Sequence, residues 1–222
     1  MNACVVIPAY NEAPTIGKII SELKKQKLQV FVIDDGSTDD TAHIASAGGA
    51  FVLSNPKNRG KGYCLIKVFN HVFAAGFDAA VVMDGDGQHS PEDIKYFLEA
   101  AENSAHVIFI GNRMNDTKNM PYIRLLTNKV MSSVISAIIK QKVPDSQCGF
   151  RLIKKELFEK VNFSMRNYEI ESEMIIKASR LGYKVSSIGI STIYNGSKSA
   201  INPFVDAIRF ISYIAGEMIS KG

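Results

Sequence analysis

Cysteine and long apolar runs are scarce in this chain. Its 222 residues include three cysteines, Cys4, Cys64 and Cys148, which are widely spaced and form no CxxC pair. Such a set argues against a thiolate metal site and favours a reducing compartment. No segment reaches the roughly 18 continuous apolar residues of a membrane span, and we find no basic-then-apolar signal peptide at the amino terminus. We therefore expect a cytoplasmic protein, either soluble or peripheral on a membrane.

Glycine-rich phosphate-binding motifs are also missing. A dinucleotide-binding Rossmann protein carries GxGxxG after its first strand, where this chain has Pro8-Ala9-Tyr10-Asn11-Glu12-Ala13. No GxxxxGK[ST] P-loop occurs, and Gly60-Lys61-Gly62 is too short to be one. A nucleotide would therefore be held by acids at strand ends and by Tyr10 stacked on a base, with Arg59 and Lys61 meeting the phosphates. A solvated loop is the alternative for the stretch from Asn58 to Gly62.

Charge and composition exclude little else. Hydrophobic content of 46%, charged content of 22% and a net charge of +4 describe an ordinary globular protein. This mild positive charge permits an anionic ligand or a membrane surface without demanding nucleic acid, so we expect no nucleic-acid partner. At this length a substantial core can be buried, and a single domain is expected, although two small ones would also fit.

The alternation of apolar runs and amphipathic segments predicts an α/β fold. A β-α-β-α-β-α-β order over the first half indicates a largely parallel sheet with helices on both faces. Ser37 followed by Asp40 predicts a capped helix start, and Ser90 before Pro91 predicts another. We predict strands over residues 3–8, 30–33, 50–53, 79–83 and 106–110, and helices over 14–26, 37–47, 63–75 and 121–140.

An acidic turn follows the apolar run 79–83. Asp84, Asp86 and Gln88 place two carboxylates and an amide oxygen at alternate positions, at the strand end where open α/β sheets bind ligands. Hard oxygen ligands suit Mg²⁺ or Mn²⁺, which keep positions open for substrate phosphates. An EF-hand loop would need Gly and Glu where this chain has His89 and Lys95. A plain solvated turn remains the alternative.

Three motifs in order resemble the signatures of family-2 glycosyltransferases. They are Val6-Ile7-Pro8-Ala9-Tyr10-Asn11-Glu12, Val32-Ile33-Asp34-Asp35-Gly36-Ser37-Thr38-Asp39, and Asp84-Gly85-Asp86-Gly87-Gln88-His89. The resemblance implies the A-type glycosyltransferase fold, a three-layer Rossmann-like α/β architecture with a mostly parallel central sheet and a divalent metal, Mg²⁺ or Mn²⁺, on the D-x-D. By matching motif positions it implies nucleotide-sugar contacts from Pro8, Tyr10, Glu12, Asp35, Lys61, Asp84 and Gly85, and metal ligands at Asp84, Asp86 and Gln88.

The second half narrows the resemblance. Gly111-Asn112-Arg113-Met114, Pro144 to Arg151, and Tyr168 to Met174 are similar to the polyprenyl-phosphate, dolichol-phosphate mannose synthase-like branch, and the likeness extends to about residue 200. It implies that Arg113, Arg124 and Asn128 gather around the acceptor phosphate. It also implies that Asp145 and Gln147 border the sugar. The implied catalytic residues are Asp86, Asp145 and Gln147.

The resemblance implies a single glycosyltransferase domain over residues 1–222, with a nucleotide-sugar half (1–110) and an acceptor half (111–200). The implied reaction is inverting, metal-dependent transfer of a sugar from a nucleotide sugar, GDP-mannose or a UDP-sugar, to polyprenyl phosphate. An anionic lipid phosphate needs no general base, whereas a saccharide or protein hydroxyl would need one, for which Asp145 is the candidate. A non-catalytic nucleotide-sugar-binding subunit is the other alternative, and the oligomeric state and any membrane-protein partner stay open.

Several side chains keep two interpretations. Residues 203–220 predict an amphipathic helix with one apolar stripe; it would dock on the domain, lie in a membrane interface or form a subunit contact. Glu169, Glu171 and Glu173 fit a strand face or a helix start. His89 would lie near the metal or on the surface, and Cys148 is expected to be a packed thiol. The stripe consists of Phe204, Ile208, Ile211, Ala215 and Met218, and Lys198 before it would meet a phosphate or be solvated.

Overall fold

The computed structural model describes residues 1–118, 120–193 and 209–216. Lys198, Phe204, Ile208 and Met218, which the sequence singled out, lie outside the described residues. The strands are β1 (Ala3–Ala9), β2 (Gln29–Asp34), β3 (Phe51–Ser54), β4 (Ala79–Val82), β5 (Ile108–Asn112), β6 (Arg151–Lys154) and β7 (Val185–Gly189). The helices are α1 (Ala13–Lys25), α2 (Thr41–Ala47), α3 (Lys61–Ala74), α4 (Ile94–Glu102), α5 (Tyr122–Ile139), α6 (Lys155–Lys160) and α7 (Glu169–Arg180). A 3₁₀ turn covers Pro91–Asp93, and residues 209–216 are helical.

The strands form one sheet in the order β3-β2-β1-β4-β6-β5-β7. β1 pairs in parallel with β2 and with β4, whereas β6 runs antiparallel to both β4 and β5. The predicted mostly parallel central sheet is confirmed. The reversed strand β6 was not predicted, because the four residues Arg151–Lys154 are too short to show a strand period.

The central strands are apolar along their whole length because they are covered on both sides. Residues Cys4 to Ile7 of β1 and Ala79 to Val82 of β4 are all buried. Continuous burial of this kind is typical of parallel strands with helices on both faces. Helix α1 meets the sheet with Ile16, Ile20 and Leu23 on one stripe, and each such buried side chain contributes about 1.5–3 kcal/mol.

Two of the predicted helix starts were less accurate. The Ser37 cap was wrong: α2 begins at Thr41, and the Ser37 hydroxyl oxygen instead accepts a hydrogen bond of 2.9 Å from the backbone N–H of Asn11. That bond holds the loops after β1 and β2 together. Ser90 precedes a 3₁₀ turn rather than an α-helix, and its side chain makes no capping bond.

The reversed direction of β6 positions the site. Val82 of β4 lies opposite Arg151 of β6, so the residues that follow β4 and those that precede β6 meet at one edge of the sheet. The carboxyl ends of β1 and β2 lie at the same edge because both strands run parallel to β4. Segments distant in sequence thereby converge on one place.

The helical residues 209–216 dock on the domain, but not with the predicted stripe. Phe210, Tyr213 and Ile214 are buried, whereas Ile211 and Ala215 are exposed. The segment carries two neighbouring apolar stripes, and periodicity alone could not show which of them faces the core. No helix among the described residues has the length and hydropathy required to cross a bilayer.

Candidate active site

A cavity of about 440 Å³ opens at the edge of the sheet where β1, β2 and β4 end. It brings together side chains that the sequence distributed over both halves of the chain. The predicted residues in its wall are Pro8, Tyr10, Glu12, Asp35, Lys61, Asp84, Gly85, Asp86, Gln88, Arg113, Arg124 and Gln147. Lining residues that sequence reasoning gave no role or left open include Asn58, Gly60, His89, Gly149, Asn167, Tyr168, Glu171 and Arg209.

Asp35 anchors the loop on one side of the cavity. Its Oδ1 accepts hydrogen bonds from the backbone N–H of Arg59 and the side chain of Asn55, both at 2.9 Å, and its Oδ2 accepts one from Gly60 at 2.8 Å. Gly60 has φ +94°, which glycine adopts without strain, and a Cβ there would come within 2.5 Å of the Arg166 carbonyl oxygen. The Arg59 guanidinium lies 4.6 Å from the ring of Tyr63 and outside the cavity wall.

Lys61 is enclosed by acids. Its Nζ donates to Asp84 Oδ1 at 2.6 Å and to Glu171 Oε1 at 2.7 Å. Burial alone would lower the pKa of the Lys61 ammonium, but the two carboxylates outweigh burial and raise it. Burial would likewise raise the pKa of Asp84, but Lys61 outweighs it and holds that pKa at about 2. Lys61 is therefore a cation that fixes the first aspartate of the D-x-D in its charged form.

Negative charge accumulates on the other side of the D-x-D. Burial, followed by the charges of Asp86 and Asp84, raises the pKa of Glu12 to about 7. Burial and the charge of Asp84 also raise the pKa of Asp86. Asp86 Oδ1 accepts the backbone N–H of Gln88 at 2.9 Å, which fixes the turn. Crowded carboxylates of this kind favour a cation between them.

His89 is buried beneath this turn, so the surface alternative was wrong. Its Nδ1 accepts the backbone N–H of Asp84 at 3.3 Å, and its ring stacks on Phe150 with centroids 5.0 Å apart. Burial lowers the pKa of His89 to about 4, so the ring is neutral near pH 7. Through this hydrogen bond, His89 helps to fix the backbone of Asp84.

Arginines supply the basic side of the cavity, and two of them were predicted from the sequence. Arg113 makes a bidentate pair with Asp145, through Nε at 2.7 Å and Nη2 at 2.9 Å, and Asn128 donates to the same carboxylate at 2.7 Å. Arg124 donates to Gln88 Oε1 at 3.2 Å. Arg113 and Arg124 line the cavity, whereas Asp145 and Asn128 are buried behind them, only 1% and 4% exposed.

Asp145→Asn is expected to lower the free energy of unfolding by about 2 kcal/mol, because the Arg113 cation would lose its charged partner in a largely buried position. Burial would raise the pKa of Asp145, but the bonds from Arg113 outweigh it and keep that pKa below its usual range. Urea unfolding of the variant and of the exposed Asp116→Asn control measures the difference. Equal stability of both would show that the pair contributes nothing.

Gly149, in the turn before β6, lies beside the Asp84 carboxylate. A Cβ at this position would lie 2.3 Å from Asp84 Oδ2 and 2.8 Å from Lys61 Nζ, so any larger residue would displace these side chains. The adjacent Cys148 is fully buried, as predicted, and burial raises the pKa of its thiol to about 12. The turn before β6 therefore packs directly against the D-x-D.

Helix α7 closes the cavity, and the strand alternative for its glutamates was wrong. Glu171 binds Lys61, while Glu173 accepts the backbone N–H groups of Ser164 and Met165 at 3.0 Å each and so fixes the preceding loop. The Glu169 Oε2 atom is buried and has no hydrogen-bond partner among the described residues. These roles depend on contacts between segments that are distant in sequence, and no local sequence motif indicates such contacts.

The model of the family "Glycosyl transferase family 2" matches residues 4–161. The chain belongs to this family of glycosyltransferases. An uncharacterised protein of Methanocaldococcus jannaschii is 33% identical, over 86% of this chain and 81% of that protein. UDP-N-acetylglucosamine–dolichyl-phosphate N-acetylglucosaminyltransferase of Methanococcus voltae is 27% identical, over 86% and 85% of the two chains. Dolichol-phosphate mannosyltransferase of Pyrococcus furiosus is 30% identical, over 80% of this chain and 53% of that enzyme.

Solved structures support the fold. Glucosyl-3-phosphoglycerate synthase of Mycobacterium tuberculosis, crystallised with Mn²⁺, UDP and phosphoglyceric acid, superposes with a TM-score of 0.76 at 20% identity, covering 99% of this chain and 78% of that one. The predicted A-type glycosyltransferase fold is confirmed. The family and the polyprenyl-phosphate branch that the sequence indicated are confirmed by the family match and by these relatives.

Proposed function

We propose that the protein transfers a sugar from a nucleotide sugar, GDP-mannose or a UDP-sugar, to polyprenyl phosphate with inversion at the anomeric carbon. The observation that carries this proposal is a single cavity with acids on one wall and Arg113 and Arg124 on another. Relatives from Methanococcus voltae and Pyrococcus furiosus are named for transfer to dolichyl phosphate, which supports the same acceptor class here.

The donor binds on the side of β1 and β2. Tyr10 and Glu12 follow β1 and Asp35 follows β2, so a nucleoside at this edge meets a ring and two hydrogen-bond acceptors. Pro8 and Gly85 line the same cavity. Lys61 acts on the donor through Asp84, since both of its strong bonds go to carboxylates.

A divalent cation, Mg²⁺ or Mn²⁺, fits the donor atoms of Asp84, Asp86 and Gln88. The fit rests on the crowding of these carboxylates. Burial raises the pKa values of Glu12 and Asp86 above their usual ranges, and the charges of the neighbouring carboxylates raise them further. Among the described residues no group of three or more His, Cys, Asp or Glu side chains forms a complete metal site. Mg²⁺ needs only one or two protein carboxylates, because it keeps its other positions for water and phosphate oxygens. When bound, it would offset charge that develops on the leaving diphosphate.

The acceptor phosphate binds against Arg113 and Arg124. Guanidinium groups recognise phosphate oxygens with directional, charge-assisted hydrogen bonds, and they would align the acceptor for attack on the anomeric carbon. Asp145 holds Arg113 in its bidentate pair, and Asn128 holds Asp145. A phosphate is anionic near neutral pH, so the attack needs no general base. Gln147, which lines the same cavity, borders the sugar.

A hydroxyl acceptor fits the geometry less well. Such an acceptor needs a base in contact with it. Asp145 was the candidate from the sequence, but it is engaged by Arg113 and Asn128 and lies outside the cavity wall. Because polyprenyl phosphate resides in a bilayer and the three cysteines are free thiols, which favours a reducing compartment, we place the enzyme at the cytoplasmic face of a membrane.

Transfer of labelled sugar into an organic-extractable product tests the proposal. The purified protein is mixed with polyprenyl phosphate and, separately, with GDP-mannose, UDP-glucose or UDP-N-acetylglucosamine, with Mn²⁺ or with EDTA. We expect metal-dependent label in the organic phase from one donor. Metal-dependent release of nucleotide without lipid product would assign a different acceptor, and binding of the nucleotide sugar without turnover would indicate a non-catalytic subunit.

A further inference from the structure

Helix α5 exposes a broad apolar face. Tyr122, Ile123, Leu126 and Val130 are 76%, 70%, 51% and 56% exposed, respectively. At about 100° per residue these four side chains cover roughly 100° of the helix circumference, the width of a stripe that normally faces a core. Large apolar side chains gathered on one exposed face mark an interaction surface rather than ordinary scatter.

The opposite face of the same helix supports the active site. Asn128 and Ser132 are buried, and Asn128 binds the Asp145 carboxylate that holds Arg113. Arg124, from the first turns of α5, lines the cavity. One helix therefore presents a phosphate-binding cation inward and an apolar surface outward. An amphiphilic acceptor, with an anionic head and a hydrocarbon tail, would match both sides.

The stretch of chain that carries this face has positive charges only. Residues 117–142 contain no Asp or Glu. Of the five cations in this stretch, Lys118, Lys129, Lys140 and Lys142 are exposed. The fifth, Arg124, lines the cavity. Five positive charges in this stretch exceed the net charge of +4 of the whole chain. A basic rim around an apolar surface complements an anionic lipid headgroup layer, with lysine stems extending along the apolar zone to reach the headgroups.

We propose that the α5 face, defined by Tyr122, Ile123, Leu126 and Val130, docks on an anionic phospholipid bilayer. The inference deepens the proposed function, since it supplies the surface on which a membrane-held acceptor phosphate reaches Arg124. The Tyr122 ring, apolar with a polar tip, suits the headgroup level. A second copy of this chain is a poorer occupant, because two such faces would bring their exposed lysines together.

Flotation with vesicles tests the docking without requiring turnover. The full chain is mixed at about 0.1 M salt, where charge attraction still reaches roughly 10 Å, with vesicles of phosphatidylcholine alone or with phosphatidylglycerol, neither containing polyprenyl phosphate. We expect the wild type to float with the anionic vesicles and the double variant Ile123→Ser/Leu126→Ser to lose at least about tenfold in vesicle affinity, because two exposed apolar anchors are removed.

A matched control removes two apolar side chains of comparable exposure elsewhere. Phe51 and Leu181 are 61% and 47% exposed, on β3 and at the end of α7. The variant Phe51→Ser/Leu181→Ser should bind vesicles like the wild type. Circular dichroism melting of both double variants verifies that each is folded before its flotation is compared.

Activity separates this inference from the proposed function. With a short, water-soluble polyprenyl phosphate, the Ile123→Ser/Leu126→Ser variant should match the wild-type rate, whereas with acceptor embedded in vesicles its rate should fall. If no acceptor is glycosylated, the proposed function fails while flotation still reports on the α5 face. The docking proposal would be overturned if the wild type did not float with anionic vesicles, or if the double variant floated with them as well as the wild type. A wild-type dimer in light scattering that the double variant converts to monomer would assign the face to a second copy instead.

Discussion

Asp86→Asn is expected to lower the rate of sugar transfer at least about a thousandfold, because under the proposed function the side chain would supply negative charge to the divalent cation. Asparagine has nearly the same size and keeps an oxygen to accept the 2.9 Å hydrogen bond from the Gln88 backbone. The turn should therefore keep its shape while the charge is lost. The measurement is the initial rate of label transfer at saturating donor, with Mn²⁺ varied to show whether more metal restores turnover.

Glu92→Gln is the matched control for this substitution. Glu92 lies six positions along the same segment, is exposed and does not line the cavity, so the same loss of charge there should leave the rate unchanged. An Asp86→Asn enzyme with the wild-type rate, at equal stability, would rule out the proposed role of the D-x-D.

Gly149→Ala is expected to lower the transfer rate by about a hundredfold or more, while leaving the protein folded. The new methyl group would lie 2.3 Å from Asp84 Oδ2, so the carboxylate must move away from its bond with Lys61. Displacement of a positioned group by about 1 Å costs on the order of 100-fold in rate. The steady-state rate and the melting temperature of the variant are measured together.

Gly216→Ala provides the comparison, since an added Cβ there meets no heavy atom of the described residues within 4 Å. It should leave both rate and melting temperature close to wild type. If Gly149→Ala were as active as this control, the close contact between the turn before β6 and Asp84 would have no consequence for catalysis.

The donor half of the site was predictable because each of its motifs is continuous in sequence and follows a strand. Tyr10 and Glu12 follow β1, Asp35 follows β2, and Asp84 and Asp86 follow β4. The carboxyl ends of parallel strands meet at one edge, so a predicted parallel sheet already brings these side chains together. The fold class followed from the same alternation of strands and helices.

The other wall was not predictable in the same way. Lys61 and Glu171 are 110 positions apart, and their contact exists because α7 packs beside α3. Arg151 is fully buried, and it ties the Cys148 and Ser146 carbonyls to that of Glu171. Periodicity describes which side of an element is apolar, but it does not say which elements become neighbours. The reversed strand β6, which produces this arrangement, is too short to be recognised.

The buried thiols give this protein a built-in reporter of how its core opens. Cys4 lies in β1, Cys64 in α3 and Cys148 just before β6, and all three are buried. Burial raises the pKa of Cys4 and of Cys148 to about 12 and also raises that of Cys64, so the thiolate that alkylating reagents attack is scarce in the native state. Alkylation therefore registers exposure of the interior rather than fraying at the surface. The three positions sample separate parts of the interior, so their relative labelling rates distinguish opening of the whole domain from opening of one part.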